Sequence, residues 1–448
     1  MNGPSWAGSS AYVHPSLLTS HLEAYANERH ASIDSSSTNS QPRVGSLSSA
    51  PNPNSSSLST PSQNTNNGGA GADGSTSSLS SAPAPLDYVA NPFTRINDRT
   101  YFRDPENSYP LPCDLPEIHR QSLRTMTLIR VFGAPYCATP LKDKRPKKIL
   151  ELACGSGLWS HACHDYFLEQ DAGDSKSPKG TLKDNKNTTS FTGLDIVSIA
   201  PDLRRKGVDW QFVRHDIRKP PLPFPSDHFD FVFIKDAGLC QSATAQQIDL
   251  LGEPLRVLKR GGILEVWDSD HVFRALLPNP SPAPNVSKKD QKHADFTATY
   301  TISPATPFAA AQNKYLLDYN SWVEKAFEKR KLTPMPCATI GLSFTTEADA
   351  FRSGGSRRIA IPLGAEVRWE QTSGRGKLNA EQLDLRHTAL TTTIQMIEGM
   401  EPMLMEASGK SQDEWDRWWA AMTTDLLQKN GLANGECLEV GAWWGQKR

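Results

Sequence analysis

The residues best placed to do chemistry lie in one short run, Lys147-Lys148-Ile149-Leu150-Glu151-Leu152-Ala153-Cys154-Gly155-Ser156-Gly157-Leu158-Trp159-Ser160. Its apolar start reads as a strand, its Gly-x-Gly as a tight turn, and Leu158 as the beginning of a helix. At the carboxyl end of a strand, Gly155 and Gly157 let a ligand approach the main chain with no Cβ in the way. The helix start then aims free N–H groups at that ligand. A Gly-x-Gly alone also suits an ordinary strand-to-helix turn. Glu151 sharpens the signal, because a carboxylate there favours a ligand with a cationic amino-acid tail and repels a pyrophosphate.

Later residues continue the pattern. Asp195 ends a second apolar segment and is followed by Ile196. In doubly wound folds an acid at that place accepts hydrogen bonds from ribose hydroxyls; capping a helix is its plainer role. The interval from Glu151 to Asp195 exceeds the usual acid spacing of about 20 residues in dinucleotide sites, and a polar insertion over 171–190 accounts for most of the excess. Asp216-Ile217 follows a third segment, where the acid can accept from an adenine amino group and Ile217 can cover the ring, although such pairs also occur in surface loops. Lys235-Asp236-Ala237-Gly238 ends a fourth segment on the rim where loops carry function; Lys235 is there either a site residue or a solvated charge. Trp159 reads as packing under the helix in preference to covering a ligand. His161, His164 and His215 lie near the crevice in sequence, but a solvated or structural histidine is the commoner outcome, and none is nominated as a base. Trp415, Trp418 and Trp419 stand at helical spacing and read as packing.

The elements that must position these residues are legible in the hydrophobic pattern. Strands are expected at 148–152, 191–196, 210–214, 229–234 and 263–267, the fourth with the continuous apolar character of a buried parallel strand. Helices are expected from 158 to about 169 and from 246 to 258, the latter stopped by Lys259-Arg260-Gly261-Gly262. Strands alternating with helices indicate an α/β, doubly wound, Rossmann-like sheet. Before the core, Asp114 is a natural N-cap with Glu117 three residues later, as in a capping box. It opens a helix to about 132 whose buried face is assigned to Leu123, Met126, Leu128 and Val131. Helices at 313–330, 380–406 and 412–429 and late strands at 358–363 and 436–443 follow, the strands closing one edge of the sheet. The proline-rich stretch 278–308 is expected as an exposed excursion.

Glu151-x-x-x-Gly155-x-Gly157, Asp195, Asp216-Ile217, the apolar segment 229–234 and Val257-Leu258-Lys259-Arg260-Gly261-Gly262 together resemble a class I (seven-strand) S-adenosylmethionine-dependent methyltransferase over about 147–270. Tyr109-x-Leu111-Pro112-x-Asp114-x-x-Glu117-x-x-Arg120 is similar to fungal LaeA-like methyltransferases, several of which are implicated in regulating secondary metabolism. The resemblance implies a seven-stranded sheet in the order 3-2-1-4-5-7-6 with strand 7 antiparallel, and S-adenosyl-L-methionine as cofactor. It implies that Glu151, Gly155 and Gly157 serve the methionine end, Asp195 the ribose, and Asp216 with Ile217 the adenine; Ala153, Ile196 and Lys235 are expected among the cofactor-binding residues. The family usually has glycine where this chain has Ala153, which predicts a tighter contact there. No Asn-Pro-Pro-Tyr-type sequence follows the fourth strand, which weakens the case for methylating amino groups of nucleobases or glutamine. The acceptor stays open.

Composition bounds the rest. Of 448 residues carrying a formal charge of −1, 1–86 are rich in Ser, Asn, Pro and Gly and cannot offset the entropy of ordering. They are expected to form a disordered tail, with 87–448 as one methyltransferase domain. Near-zero charge argues against a general nucleic-acid surface, and no apolar run reaches the roughly 18 residues of a membrane span. Seven scattered cysteines without a C-x-x-C pair predict neither a disulfide framework nor a metal site, and hence an intracellular setting, cytoplasmic or nuclear. Lys142-x-Lys144-Arg145-Pro146-Lys147-Lys148 reads as a solvated lead-in to the first strand or as a nuclear import signal. Two rival readings remain: a low-turnover regulatory binding protein that keeps the fold, with protein partners, and a nicotinamide-dependent oxidoreductase.

Overall fold

The computed structural model describes residues 92–103, 109–142, 144–173, 189–240, 250–284, 286–372, 377–428 and 430–448. The tail over 1–86 and most of the insertion expected at 171–190 lie outside the described residues. In chain order the strands are β1 Phe93–Ile96, β2 Arg99–Phe102, β3 Lys148–Leu152, β4 Ser190–Asp195, β5 Asp209–Arg214, β6 Phe229–Lys235, β7 Leu258–Ser269, β8 Arg274–Leu276, β9 Tyr300–Ile302, β10 Phe308–Ala310, β11 Phe351–Pro362 and β12 Glu436–Lys447. The helices are α1 Leu115–Phe132, α2 Leu158–Gly173, α3 Gly252–Val257, α4 Lys288–Phe296, α5 Lys314–Arg330, α6 Pro336–Thr346, α7 Arg368–Thr372, α8 Ala380–Gly399, α9 Glu401–Ser408 and α10 Gln412–Leu427.

Seven strands of the ten-stranded main sheet run in the order β5, β4, β3, β6, β7, β12, β11, with β9 beyond β11 and with β8, carrying β10, also paired to β12. Its first five strands are parallel, and β12 is antiparallel to both β7 and β11. This is the expected α/β doubly wound order 3-2-1-4-5-7-6. The direction of winding reverses at β3, because β4 lies on one side of it and β6 on the other. That switch opens a crevice beyond the carboxyl ends of the strands. Both faces of the parallel strands are covered: Ile149, Leu150, Phe231, Val232, Phe233 and Leu264 are at most 0% exposed. Trp159 is the keystone of one face, stacked on Phe233 with ring centroids 3.7 Å apart and its Nε1–H donated to the Pro135 carbonyl at 2.6 Å. It packs and does not cover the crevice.

Several expectations are revised. Asp114 does cap α1 by accepting from the Glu117 N–H at 3.2 Å. Glu117 does not complete the box, because its carboxylate is taken by Arg120 through two bonds of 2.7 Å. Leu128 and Val131 are buried on α1, but Met126 is 48% exposed. The helix expected over 380–406 is two, α8 and α9, since Pro402 lacks the N–H a continuous helix needs and instead sits in the first turn of α9. The stretch 278–308 is folded rather than an exposed excursion: α4 buries Ala294, β9 pairs with β11, and β10 pairs with β8. Its prolines fall ahead of α4 or, for Pro304 and Pro307, in the turn between β9 and β10, outside every helix and strand. The run Lys259-Arg260-Gly261-Gly262 belongs to β7 and not to a helix end. Trp415, Trp418 and Trp419 are buried on α10, with Trp322 of α5 4.6 Å from Trp418 between ring centroids. Among the described residues no helix is long and apolar enough to cross a membrane.

Candidate functional site

The turn after β3 is built from left-handed residues: Ala153, Gly155 and Gly157 have φ of 53°, 51° and 68°. Glycine adopts this region freely, whereas an alanine pays for the contact between its Cβ and the backbone. A Cβ on Gly155 would lie 2.8 Å from Gln121 Oε1, and one on Gly157 3.2 Å from Leu203 Cδ1. Asp195, at the end of β4, fixes the turn from the neighbouring strand. Its carboxylate accepts from the Gly155 N–H at 2.8 Å and from the Ile196 N–H at 2.7 Å. Burial raises its pKa, and those N–H bonds pull the other way.

A cavity of about 120 Å³, open in part to solvent, lies beyond the strand ends at the switch point. Of the residues singled out from the sequence, Ala153, Gly155, Asp195, Ile196, Asp216, Ile217 and Lys235 line it. Glu151 and Gly157 do not. Glu151 is 2% exposed and turned beneath the turn, where Oε2 accepts from Ser160 Oγ at 2.6 Å and from the Ser160 N–H at 3.3 Å. Its side chain stands on a face of the sheet covered by α2, so it anchors the helix start and makes no cavity wall. Burial pushes its carboxyl up to about 7. Gly157 faces Leu203, Trp210 and Ala200. Asp216 lines the cavity but is already paired with Arg218, at 2.9 Å between Oδ2 and Nη2. His215 also lines it, with its Nε2 2.8 Å from the Lys219 carbonyl. His161 and His164 ride on α2 away from the wall.

The opposite wall comes from residues that the sequence pattern did not single out as a site. Tyr109 and α1 residues Glu117, Arg120, Gln121 and Arg124 face the strand ends. Glu117–Arg120 is an ion pair of 2.7 Å with both side chains at most 5% exposed. Arg124 reaches Asp236 at 2.7 Å and Ser269 Oγ at 2.9 Å, and Lys235 Nζ is 2.8 Å from the same Asp236. Burial opposes ionisation of Asp236, but Arg124 and Lys235 win and hold its carboxyl far below the usual range. Asp236 also has φ of 56°, and a non-glycine residue kept left-handed at a strand end is a mark of functional sites. The available signal was the spacing 117, 120, 121, 124. These polar residues make one stripe along a helix, and a polar stripe on an otherwise buried helix must face something polar.

The wall residues suit a nucleoside. Asp195 receives N–H groups from Gly155, Ile196 and Val197, which leaves about one of a carboxylate's four acceptor positions for a ligand hydroxyl. Ile196 and Ile217 give the flanking apolar surface. Among the described residues no group of three His, Cys, Asp or Glu side chains could hold a metal ion.

No protein-family model matches the chain, and no curated protein matches it. Among solved structures it is similar to the YcgJ protein from Bacillus subtilis, at 16% identity over 74% of this chain and 99% of that one, with a TM-score of 0.30. It is similar to the plantazolicin methyltransferase BpumL in complex with SAH, at 13% identity over 74% and 88% of the two chains, with a TM-score of 0.31. It spans 61% of a chain from the complex between the Haloferax volcanii Trm112 methyltransferase activator and a methyltransferase, at 19% identity over 37% of this chain, with a TM-score of 0.25. Likenesses this distant add nothing to the strand order described above, which rests on the pairing of the strands themselves.

Proposed function

We propose that this chain is an S-adenosylmethionine-dependent methyltransferase of the class I type. The observation that carries the reading is the meeting, at one switch-point cavity, of the Asp195-braced glycine turn with Ile196, Asp216 and Ile217. In this reading Asp195 takes a ribose hydroxyl, and Ile196 and Ile217 flank the adenine. With Glu151 buried under α2, the methionine end falls to the rim formed by Lys235, Asp236 and the α1 pair Glu117–Arg120. Bound S-adenosylmethionine supplies a methyl group on a sulfonium, already activated for displacement. The protein's task is then to exclude water and to hold an acceptor in line within about 3–3.5 Å, which explains a site without a catalytic triad.

The likeness to LaeA-like methyltransferases gains support from the position of its motif. Tyr109, Leu111, Pro112, Glu117 and Arg120 all line the same cavity. A dinucleotide fits less well, because the Gly155 N–H that a pyrophosphate would use is bonded to the Asp195 carboxylate. One observation favours the alternative of a binding protein with little turnover: Ala153 is held left-handed where glycine costs nothing. The two are separated by incubating the full chain and a cell extract with methyl-labelled S-adenosylmethionine. Label transferred to any acceptor above a protein-free control supports the enzyme; cofactor binding without transfer supports the binding protein.

A further inference from the structure

His271 follows β7 and lines the same cavity, and it is not among the residues assigned above to the nucleoside. It is 3% exposed, and neither Nδ1 nor Nε2 has a hydrogen-bond partner among the described residues. The ring is nonetheless fixed. Its backbone N–H is donated to the Pro334 carbonyl at 2.8 Å, and its edge-to-face contact with Phe327 has ring centroids 5.4 Å apart. Buried polar groups are almost always paired, so two orphan nitrogens on a fixed ring mark a place where a ligand completes the hydrogen bonding.

We infer that the part of the cavity walled by His271 binds an uncharged, hydroxyl-bearing organic molecule, with the neutral imidazole of His271 as its hydrogen-bond anchor. On the methyl-transfer reading, on which this rests for its biological meaning, that molecule is the methyl acceptor. Three observations select the class. A neutral imidazole offers one donor and one acceptor, which a hydroxyl matches with its own acceptor and donor. The cations nearest the ring are already spent, Arg120 on Glu117 and Arg124 on Asp236, so an anionic group finds no unpaired partner and a cationic one meets two guanidinium groups. The same cavity also has apolar lining to receive a carbon skeleton, including Phe102, Leu111, Ile118 and Met396. Burial first, and Arg124 second, push the imidazole down to about 3, so the ring stays neutral over the physiological range.

The test uses the full chain and a panel of probes: uncharged phenols and aliphatic alcohols, each beside a carboxylate and an amine of similar size. Binding is read by calorimetry with and without saturating S-adenosylhomocysteine, and by the ring resonances of His271. Hydroxylated members are expected to bind and to shift those resonances. His271→Phe should weaken them tenfold or more and His271→Gln, which keeps a donor and an acceptor, by less than threefold, while both variants keep S-adenosylhomocysteine affinity within twofold. Binding of charged members only, binding of none, or unchanged affinity in His271→Phe overturns the inference. His271-dependent binding by a protein that ignores S-adenosylhomocysteine upholds the anchor and removes the methyl-transfer reading.

Discussion

The glycine turn contains one residue out of keeping with its backbone. Ala153 sits at φ 53°, a region that costs an L-residue roughly 1–2 kcal/mol. Ala153→Gly removes that cost and adds unfolded-state entropy in return, so a net gain of about 0.5–1 kcal/mol is expected, read as a higher urea midpoint with an unchanged slope. A lower midpoint would show that the methyl group packs usefully where it is. Glu151 gives a pH signature at the same scale. Its folded-state carboxyl titrates near 7 against an ordinary value of 4.5, because burial outweighs the Ser160 bonds. A raised folded pKa means stability that is whole below about 4.5 and lost as pH rises through 7. Glu151→Gln keeps an acceptor for Ser160 but cannot titrate. The stability difference between variant and parent should therefore grow in the variant's favour between pH 5 and 7, by a few kcal/mol at most; a constant difference would contradict the burial assignment. Glu265, also raised to about 7 by burial, remains in both proteins and cancels.

Between elements, the cavity depends on how α1 is held against the strand ends. The Arg124–Asp236 pair is the bridge, with the arginine side chain 8% and the aspartate 20% exposed. Removing Arg124 leaves the Asp236 carboxylate with Lys235 alone, so the cost sits at the low end of the roughly 3–5 kcal/mol of a broken buried pair. Arg124→Met is expected to cost about 3 kcal/mol in chemical denaturation. Adding Asp236→Asn should restore more than about 1 kcal/mol of it, and strictly additive losses would show that the two do not communicate. This scale also marks where sequence reading stops. The β6 segment announces itself because a parallel strand covered on both faces is a continuous apolar run, whereas the edge strand β5 keeps Asp209, Gln211 and Arg214 exposed and shows through its apolar Trp210, Phe212 and Val213. The wall from α1 does so only faintly: apolar periodicity directs attention to Leu128 and Val131, the polar stripe at 117, 120, 121 and 124 says only that it faces something polar, and the fold shows that this is the strand ends. Glu151 misleads for the related reason that strand alternation, invisible in an all-buried strand, turns it under α2.

Across the whole molecule, the parallel core and the late strands that close the sheet were legible, and the stretch 278–308 was not. The doubly wound order follows from alternating strands and helices, but 278–308 supplies α4, β9 and β10 to the sheet edge through long-range pairing that local composition conceals. His271 escapes sequence reading likewise: nothing in the residues around it signals a buried ring in the wall formed by α1 and the ends of β3, β4 and β6. Methyl transfer by this chain requires that the composite cavity take the adenosyl ligand. Calorimetric titration of the folded full chain with S-adenosylhomocysteine tests it most directly. One saturable site is predicted, weakened tenfold or more, about 1.4 kcal/mol upward, in an Asp195→Ala variant that keeps the parent's far-ultraviolet circular dichroism. No heat at high micromolar ligand, or parental affinity in that variant, would contradict it.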